Sequence, residues 1–241
     1  MEIKISATGS TGNCYFIENN DTSIMVECGI PVKKIKKSSG HRLHEISGCL
    51  VSHAHLDHCK AVSEILQSGI PVYMLQAVKN ALAIDHYNIN IFGTEDLFFQ
   101  PEQFRIGSFN ILAFPLLHKN TDGSDCQNAG FLIQSGCEKL IYITDSPFTR
   151  YKFSGFTHVM CEANYDANIL EKNIENGAVP HVMKKRLMYS HMEVENTKKF
   201  LLANDLSKCQ AIYLIHASEN NAEPERFKKE IQELTGVPVF I

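Results

Sequence analysis

The amino-acid sequence predicts an α+β fold in which two mixed β-sheets pack face to face with helices outside them, an αββα sandwich. Apolar segments of strand length, separated by turn-rich pieces, dominate the first half of the chain. From Asp145 onward, strand-like and helix-like segments alternate. Runs of strands that each close with helices are typical of sheets covered by helices, but periodicity alone leaves the topology open.

Strands are the main elements expected in the first half. They are predicted at 2–6, 14–18, 23–27, 48–52, 71–74, 97–99, 103–106, 109–114, 130–134 and 139–144, with helices at 57–67 and 75–84. In the second half, strands are predicted at 157–161 and 211–215, and helices at 166–174, 180–188, 192–203 and 224–234. No internal repeat or linker-like segment interrupts this order, so we expect a single domain, residues 1–241.

Composition bounds the class of protein. The 241 residues are 44% hydrophobic and 21% charged, which is enough for the core of one sizeable domain or of two small ones and excludes disorder and collagen-like structure. The net charge, 23 − 27 = −4, argues against a broadly cationic nucleic-acid binder. The sequence has no run of the ~18 apolar residues that a membrane span needs, and no signal peptide, so we expect a cytoplasmic protein without a membrane partner. Eight dispersed cysteines without a CxxC pair are expected to be mostly reduced core residues.

Four metal-ligand side chains follow the apolar strand predicted at 48–52: His53, His55, Asp57 and His58. If the chain is still extended at His53 and His55, its period of two places both imidazoles on one side, where they can share a metal. The other two fall where a helix begins, so they should diverge and could serve a second metal. The alternative is a polar surface turn, but this density of a rare residue type favours metal binding.

Further ligands must come from elsewhere, and three candidates end apolar strands. These are His118 after NILAFPLL, Asp145 after KLIYIT and His216 after AIYLI. A lone histidine after a strand is more often structural, but three such strand ends in one chain favour ligation. Asp145 best suits a bridge, because one carboxylate can hold two cations.

The segment from His53 to His58 has the form HxHxDH, and with it the sequence resembles the metallo-β-lactamase superfamily, whose defining motif this is. The resemblance implies the αββα fold, with His53, His55 and His118 on one metal, Asp57, His58 and His216 on the other, and Asp145 bridging. The sequence is also similar to the WalJ (YycJ) type of double-strand DNA 5′-to-3′ exonucleases and their phage-encoded relatives. The matching stretches are ATGSTGNCY, VSHAHLDH, YITD, CEANYD, KKRLMYSHMEVEN and LIHASENN.

The loop after His118 departs from these relatives, which often read His-Asp followed soon by Gly-Phe. Here His118 and Lys119 precede the longer run NTDGSDCQNAGF. Asp122 and Asp125 could approach the site from this loop. Loop carboxylates are usually solvated, however, so we expect these two to face solvent.

His191 is a candidate catalytic residue that binds no metal. Ser190-His191-Met192-Glu193 has the S-x-x-E form of a capping box, which predicts Ser190 as the N-cap and His191 as the first residue of the helix at 192–203. A histidine beside free helix N–H groups can donate to a developing oxyanion or protonate a leaving oxygen. The resemblance agrees, because RNase J and related nucleases carry such a histidine upstream of the last metal ligand. An exposed helix-start histidine is the alternative.

Two further residues are expected to act on metal ligands rather than on the metals. Glu162 resembles an acidic residue that those nucleases carry after a strand, where it could orient a ligand histidine; a solvated carboxylate is the alternative. Asn13 ends the turn Gly9-Ser10-Thr11-Gly12-Asn13, which is predicted as a tight hairpin. Family likeness places this turn near the metals, so Asn13 is expected to touch them indirectly.

The expected chemistry is hydrolysis by a hydroxide that bridges two divalent metals, with zinc favoured by the histidines and manganese left open by the carboxylates. The sequence contains neither a GxSxG nucleophile motif nor a dinucleotide fingerprint. Two basic runs, Lys33-Lys34-Ile35-Lys36-Lys37 and Lys184-Lys185-Arg186, could track a phosphate backbone, although such runs are usually solvated faces.

The sequence therefore predicts a metal-dependent phosphodiesterase, and within that class a DNA exonuclease, with Asp57 and His191 as catalytic residues and DNA as the partner. The first alternative is a small-molecule metallo-hydrolase acting on a cyclic nucleotide, lactone or thioester. Oxygen or sulfur chemistry at iron and a catalytically silent nucleic-acid-binding module are the alternatives from other classes. The oligomeric state is not predicted.

Overall fold

The computed structural model describes residues 1–19 and 22–241. In it, the chain forms two compact units. Unit 1 comprises Met1–Pro115 and Gln127–Cys137, and unit 2 comprises Leu116–Cys126 and Glu138–Ile241. The strands belong to two mixed β-sheets with flanking helices, which confirms the predicted fold class. That the whole chain is one domain stays a prediction.

Unit 1 contains the first sheet, of six strands in sequence order. The strands are β1 (Glu2–Ala7), β2 (Cys14–Asn19), β3 (Thr22–Val26), β4 (Ile46–Leu50), β5 (Val72–Met74) and β6 (Ile89–Ile91). β1, β2 and β3 pair antiparallel, and β3 to β6 pair parallel. The connections carry α1 (Val32–Ser38), a 3₁₀ turn at Leu43–Glu45, α2 (Leu56–Cys59), α3 (Val62–Gln67) and α4 (Gln76–Leu82).

Strands β7 to β13 belong to the second sheet. Those of unit 1 are β7 (Glu102–Ile106), β8 (Phe109–Leu116, whose last residue is assigned to unit 2) and β9 (Asn128–Ser135). β7 and β8 form an antiparallel hairpin that turns at Gly107 and Ser108. Gly107 adopts a φ of +55°, and an added Cβ would lie 2.6 Å from Thr22 Cγ2, so glycine is required there by both conformation and space.

Unit 2 contains the parallel strands β10 (Glu138–Ile143), β11 (His158–Glu162), β12 (Ala211–Ile215) and β13 (Val239–Phe240). Its helices are α5 (Ala167–Glu175), α6 (His181–Ser190), α7 (Val194–Leu202) and α8 (Pro224–Thr235). All five residues of β11 are buried, as expected of a parallel strand covered on both faces. In the β11–β12 register Glu162 lies opposite Ile215, so the carboxyl ends of these strands meet at one edge.

Most predicted elements are present with shifted ends, but two predictions are wrong. The helix predicted at 57–67 is divided into α2 and α3, because the Ala61 N–H donates to Cys28 O (2.9 Å) instead of continuing the helix. Residues 97–99 form no strand. The predicted helix at 192–203 is present as α7 and begins at Val194. α1, β6 and β13 have no counterpart in the prediction.

The cysteines behave as expected from their dispersal. None of the eight forms a disulfide, and six are buried. Burial raises the pKa of the Cys59 thiol to about 12, so this thiol stays protonated and unreactive at neutral pH. Among the described residues, no helix has the length and apolar content required to span a bilayer.

Gly29 allows the segment after β3 to lie directly against α2. Cys28 N donates to His58 O (2.9 Å), and Gly29 N donates to Asn13 O (2.8 Å). A Cβ on Gly29 would lie only 1.6 Å from Asp57 O, a main-chain atom that cannot move aside without shifting α2. The position of the HxHxDH segment within unit 1 therefore depends on a glycine here.

The Gly29→Ala substitution is expected to lower the free energy of unfolding by about 3 kcal/mol, because the added methyl group displaces the main chain at Asp57. Urea denaturation measures this. The control is Gly69→Ala, where no atom lies within 4 Å of the added Cβ and only the positive φ of 82° opposes the change. It should cost about 1 kcal/mol. Equal losses for the two variants would contradict this packing.

Candidate metal centre

The HxHxDH segment of unit 1 follows strand β4 but lies outside the sheet. β4 ends at Leu50, and residues 51–55 continue without regular structure to His55, whose extended conformation (φ −69°, ψ 141°) makes it the N-cap of α2. Asp57 and His58 lie in the short helix α2. As predicted, His55 is extended and Asp57 and His58 fall in a helix. The predicted divergence of the second pair from the first is not seen, because the His53 and His58 rings lie side by side.

The four side chains of this segment lie together. His53 Nε2 is 3.0 Å from His55 Nδ1, and the rings of His53 and His58 have centroids 4.2 Å apart. His58 Nε2 is 3.4 Å from Asp57 Oδ2. A cation with 2.0–2.1 Å bonds to nitrogen would hold two ligand atoms within about 4.2 Å of each other, so His53 and His55 can share one.

Two buried residues, Glu27 and Asn13, contact this segment. Glu27, fully buried at the end of β3, places Oε1 3.5 Å from His58 Nδ1 and accepts from Ser52 N at 3.3 Å. Asn13 donates from Nδ2 to Asp57 O (3.2 Å), and the same nitrogen lies 3.2 Å from His58 Nε2. Asn13 is also buried. That it acts on the metals through these contacts stays a prediction.

In unit 2, the candidate residues follow the carboxyl ends of parallel strands. Asp145 comes two residues after β10, Glu162 ends β11 and His216 follows β12. Asp145 and His216 adopt left-handed conformations, with φ of 48° and 57°, as does Glu27 in unit 1 with 60°. Such conformations cost of order 1 kcal/mol or more in residues other than glycine, and they often mark functional sites.

Hydrogen bonds orient the rings of His118 and His216. His118 Nδ1 lies 3.1 Å from the carbonyl oxygen of Ser190, which can only accept, so Nδ1 carries a proton. His216 Nδ1 lies 3.2 Å from Glu162 Oε1, to which it can donate, and 3.2 Å from Asn164 Nδ2. The Nε2 atoms of the two rings lie 3.9 Å and 3.4 Å from the two Asp145 carboxylate oxygens.

Imidazole nitrogens and carboxylate oxygens at these separations are suited to share a cation. The three side chains are only 1–2% exposed, so water would screen the charge of such a cation weakly. The unit 2 donors are therefore suited to divalent metal ions, with Asp145 presenting one oxygen to each histidine. Histidine and carboxylate donors suit zinc well and are also compatible with manganese.

Glu162 organises the neighbouring polar groups. Oε1 accepts from Nδ1 of His191 at 2.7 Å and from His216, while Oε2 accepts from Met192 N (3.1 Å) and Ser146 N (3.3 Å). Burial by itself raises the pKa of the Glu162 carboxyl, but interactions with His191 and His216 outweigh it, and the pKa is lowered. The carboxylate is thus held ionised and saturated with donors, and it is not the solvated strand-end group considered above.

His191 is positioned differently from the sequence prediction. Ser190 is the last residue of α6 rather than an N-cap, and His191 is the extended C-cap (φ −133°, ψ 155°). α7 begins three residues later, at Val194, with Glu193 as its N-cap. The Ser190 hydroxyl donates to Lys119 O (3.2 Å) and is therefore not available to cap a helix. His191 is oriented by Glu162 and not by a helix N-terminus.

Glu162 and His191 also belong to a second possible ligand set within unit 2. Asp145, Glu162, His191 and His216 offer ligand atoms within 4.8 Å of one another. Because Glu162 already accepts four hydrogen bonds, a metal there would have to displace N–H donors. Asp145 and the histidine Nε2 atoms are the better donors.

Sequence reasoning did not identify two residues that contact the candidate ligands. Glu27 ends the apolar run SIMV, so the strand-end argument used for Asp145 could have identified it. Asn164, which donates from Nδ2 to His216 O (2.7 Å), follows β11 without any distinctive pattern. The loop carboxylates Asp122 and Asp125 behave as solvated groups: Asp122 caps Ser124 N, and Asp125 pairs with Lys119 at 2.6 Å.

The comparisons with known proteins agree with this geometry. The family model of the β-lactamase superfamily domain matches residues 23–217. Exodeoxyribonuclease YycJ of Bacillus anthracis is 24% identical over 245 residues, covering 97% of this chain and 89% of the relative. Exodeoxyribonuclease WalJ of Streptococcus pneumoniae (strain D39) is 22% identical, covering 92% of this chain and 83% of the relative.

The fold is also found among solved structures. The metallo-β-lactamase fold protein YhfI from Bacillus subtilis superposes with a TM-score of 0.72 at 15% identity, covering 99% of this chain and 95% of that one. The family match covers most of the chain and includes every ligand candidate from His53 to His216. The chain therefore belongs to the β-lactamase superfamily domain family, as a metal-dependent hydrolase with the metallo-β-lactamase fold.

Proposed function

We propose that this protein is a dinuclear metal-dependent phosphodiesterase that degrades double-stranded DNA as a 5′-to-3′ exonuclease. The observation that carries the proposal is the whole-length similarity to two proteins named exodeoxyribonucleases, one of which matches 97% of this chain. The donor chemistry of both units supports it. DNA is then the partner, and a cytoplasmic location accords with that substrate.

The proposed ligand sets draw on both units. His53, His55 and His118 would hold one cation, Asp57, His58 and His216 the other, and Asp145 both. Support comes from the clustered donors within each unit and from the Nε2 atoms of His118 and His216, which lie 3.9 Å and 3.4 Å from the Asp145 carboxylate oxygens. Two bound cations supply hydroxide at neutral pH and neutralise charge on the phosphate. Zinc is proposed as the metal, with manganese as the alternative.

His191 is proposed to act on the leaving oxygen. Glu162 accepts a hydrogen bond from Nδ1 of His191, which orients the imidazole ring. Nε2 is then the atom that exchanges a proton with the substrate. The His191 side chain is 15% exposed, whereas those of Glu162 and His216 are at most 1% exposed. Of these three groups, His191 is therefore the one that a substrate can reach.

The Asp57→Ala substitution should reduce degradation of 5′-phosphorylated duplex DNA by at least about 100-fold, because it removes a proposed metal ligand. Degradation with added Zn²⁺ or Mn²⁺ is followed on gels, and chelation should abolish it reversibly. The matched control is Asp85→Ala, an exposed aspartate of unit 1 that pairs with Lys79. It should retain full activity.

Equal degradation by wild type and the Asp57→Ala variant would contradict the proposal. Hydrolysis of a cyclic nucleotide, lactone or thioester with duplex DNA untouched would replace the proposed substrate with a small molecule. Absorption from bound iron after aerobic purification would indicate oxygen chemistry instead.

The Glu162→Gln substitution should lower the unfolding free energy by about 2–4 kcal/mol and also lower the nuclease rate. The glutamine side chain replaces one accepting oxygen with an NH₂ group, which cannot accept hydrogen bonds. Buried N–H donors that the carboxylate satisfied would therefore lose their acceptor. The control is Glu219→Gln, an exposed position of the same unit. Denaturant titration and the rate at several pH values are measured. An unchanged pH profile would show that Glu162 does not tune His191.

A further inference from the structure

Unit 2 contains an open cleft of about 610 Å³ between helix α6 and the loop that follows His118. The loop side is formed by Lys119, Asn120, Thr121, Asp122 and Gly123. The helix side is formed by Val182, Met183, Lys185, Arg186, Tyr189 and Ser190. A cleft of this size holds a small ligand or a short stretch of one polymer strand.

The helix side presents a stripe of basic, aromatic and apolar side chains. Val182, Lys185, Arg186 and Tyr189 are spaced at i, i+3, i+4 and i+7, which places them on one face of α6. The opposite side of α6 is anchored by Leu187, which packs in a cluster with Tyr165, Leu170 and Val179. Leu187 therefore packs α6 against unit 2 while the stripe remains exposed, with Val182 76% and Tyr189 55% accessible.

The charge of the cleft is opposite to that of the whole chain. Its lining carries Lys119, Lys185 and Arg186 against the single carboxylate of Asp122, in a protein of net charge −4. Lys119 is paired with Asp125, and the Asp122 carboxylate accepts from Ser124 N and Oγ. Lys185 and Arg186 therefore supply most of the attraction for an anion.

The cleft ends beside the candidate metal centre of unit 2. Ser190, at its inner end, accepts from His118 through its carbonyl oxygen and directly precedes His191. The Ser190 hydroxyl donates to Lys119 O at 3.2 Å, and this hydrogen bond links the helix side of the cleft to the loop side. A chain of phosphates with one member at His118 and His191 would thus continue along the stripe.

We infer that this cleft binds one strand of a nucleic acid next to the phosphate that is cleaved. This inference rests on the proposed function and adds the surface that holds the polymer. Lys185 and Arg186 bind backbone phosphates, and a base stacks on Tyr189, the combination that proteins use for single strands. The stripe from Val182 to Tyr189 is about 10 Å long at 1.5 Å per residue, so it spans about three stacked nucleotides at ~3.4 Å each.

The test compares two pairs of basic residues that both lie exposed on helices. The cleft variant is Lys185→Ala with Arg186→Ala. The control is Lys172→Ala with Lys229→Ala, which makes the same charge change on α5 and α8 at positions outside the cleft lining. Binding of a fluorescent single-stranded oligonucleotide to the full chain is measured by anisotropy, without added metal, at several salt concentrations.

The cleft variant should bind at least about tenfold more weakly, and the slope of log K against log salt should fall by about 1.4, or 0.7 for each lost phosphate contact. Tyr189→Ala should weaken binding about tenfold with the salt slope unchanged, because stacking releases no counterions. The control should bind as wild type does. Matching thermal unfolding would show that all variants are folded.

Equal weakening by the cleft variant and the control, or an unchanged salt slope in the cleft variant, would overturn the inference. Binding is measured without catalysis, so this outcome is distinct from failure of the proposed function. A wild-type protein that binds the oligonucleotide through the cleft but degrades no DNA would overturn the exonuclease proposal and leave the inference standing.

Discussion

The chemistry proposed for this protein depends on one constraint of unit 2, the parallel alignment of β10, β11 and β12. Parallel strands end at a common edge, so Asp145, Glu162 and His216 emerge together although they are far apart in sequence. The left-handed turns at Asp145 and His216 then direct the chain away from the sheet. Buried hydrogen bonds around these turns offset the energetic cost of their left-handed conformations.

Buried charge gives this edge its function. The Glu162 carboxylate is neutralised by four hydrogen-bond donors, and it orients the rings of His191 and His216. Asp145 accepts from Thr144 Oγ1 at 2.8 Å and lies 3.9 Å from His118 Nε2 and 3.4 Å from His216 Nε2. Glu162 is therefore held by N–H donors, whereas Asp145 lies beside two histidine ring nitrogens, a combination of donors that suits a cation. This division distinguishes a residue that orients from a residue that ligates.

The sequence predicted what depends on local spacing and missed what depends on tertiary contacts. The HxHxDH ligands and the strand-end residues follow from periods of two and from apolar runs. The capping box at Ser190 failed, because the serine hydroxyl is used by Lys119 O and α6 continues to that residue. The division between α2 and α3 was missed because it depends on a bond from Ala61 to Cys28, a residue distant in sequence.

We propose that each chain holds two divalent cations through its histidine and carboxylate donors. Elemental analysis of protein loaded with zinc or manganese and then freed of excess metal, combined with anomalous diffraction from its crystals, tests this. Two ions per chain, both in contact with Asp145, are expected. Absence of bound metal, or a single ion held by Glu162 and His191, would show that the proposed dinuclear site is wrong.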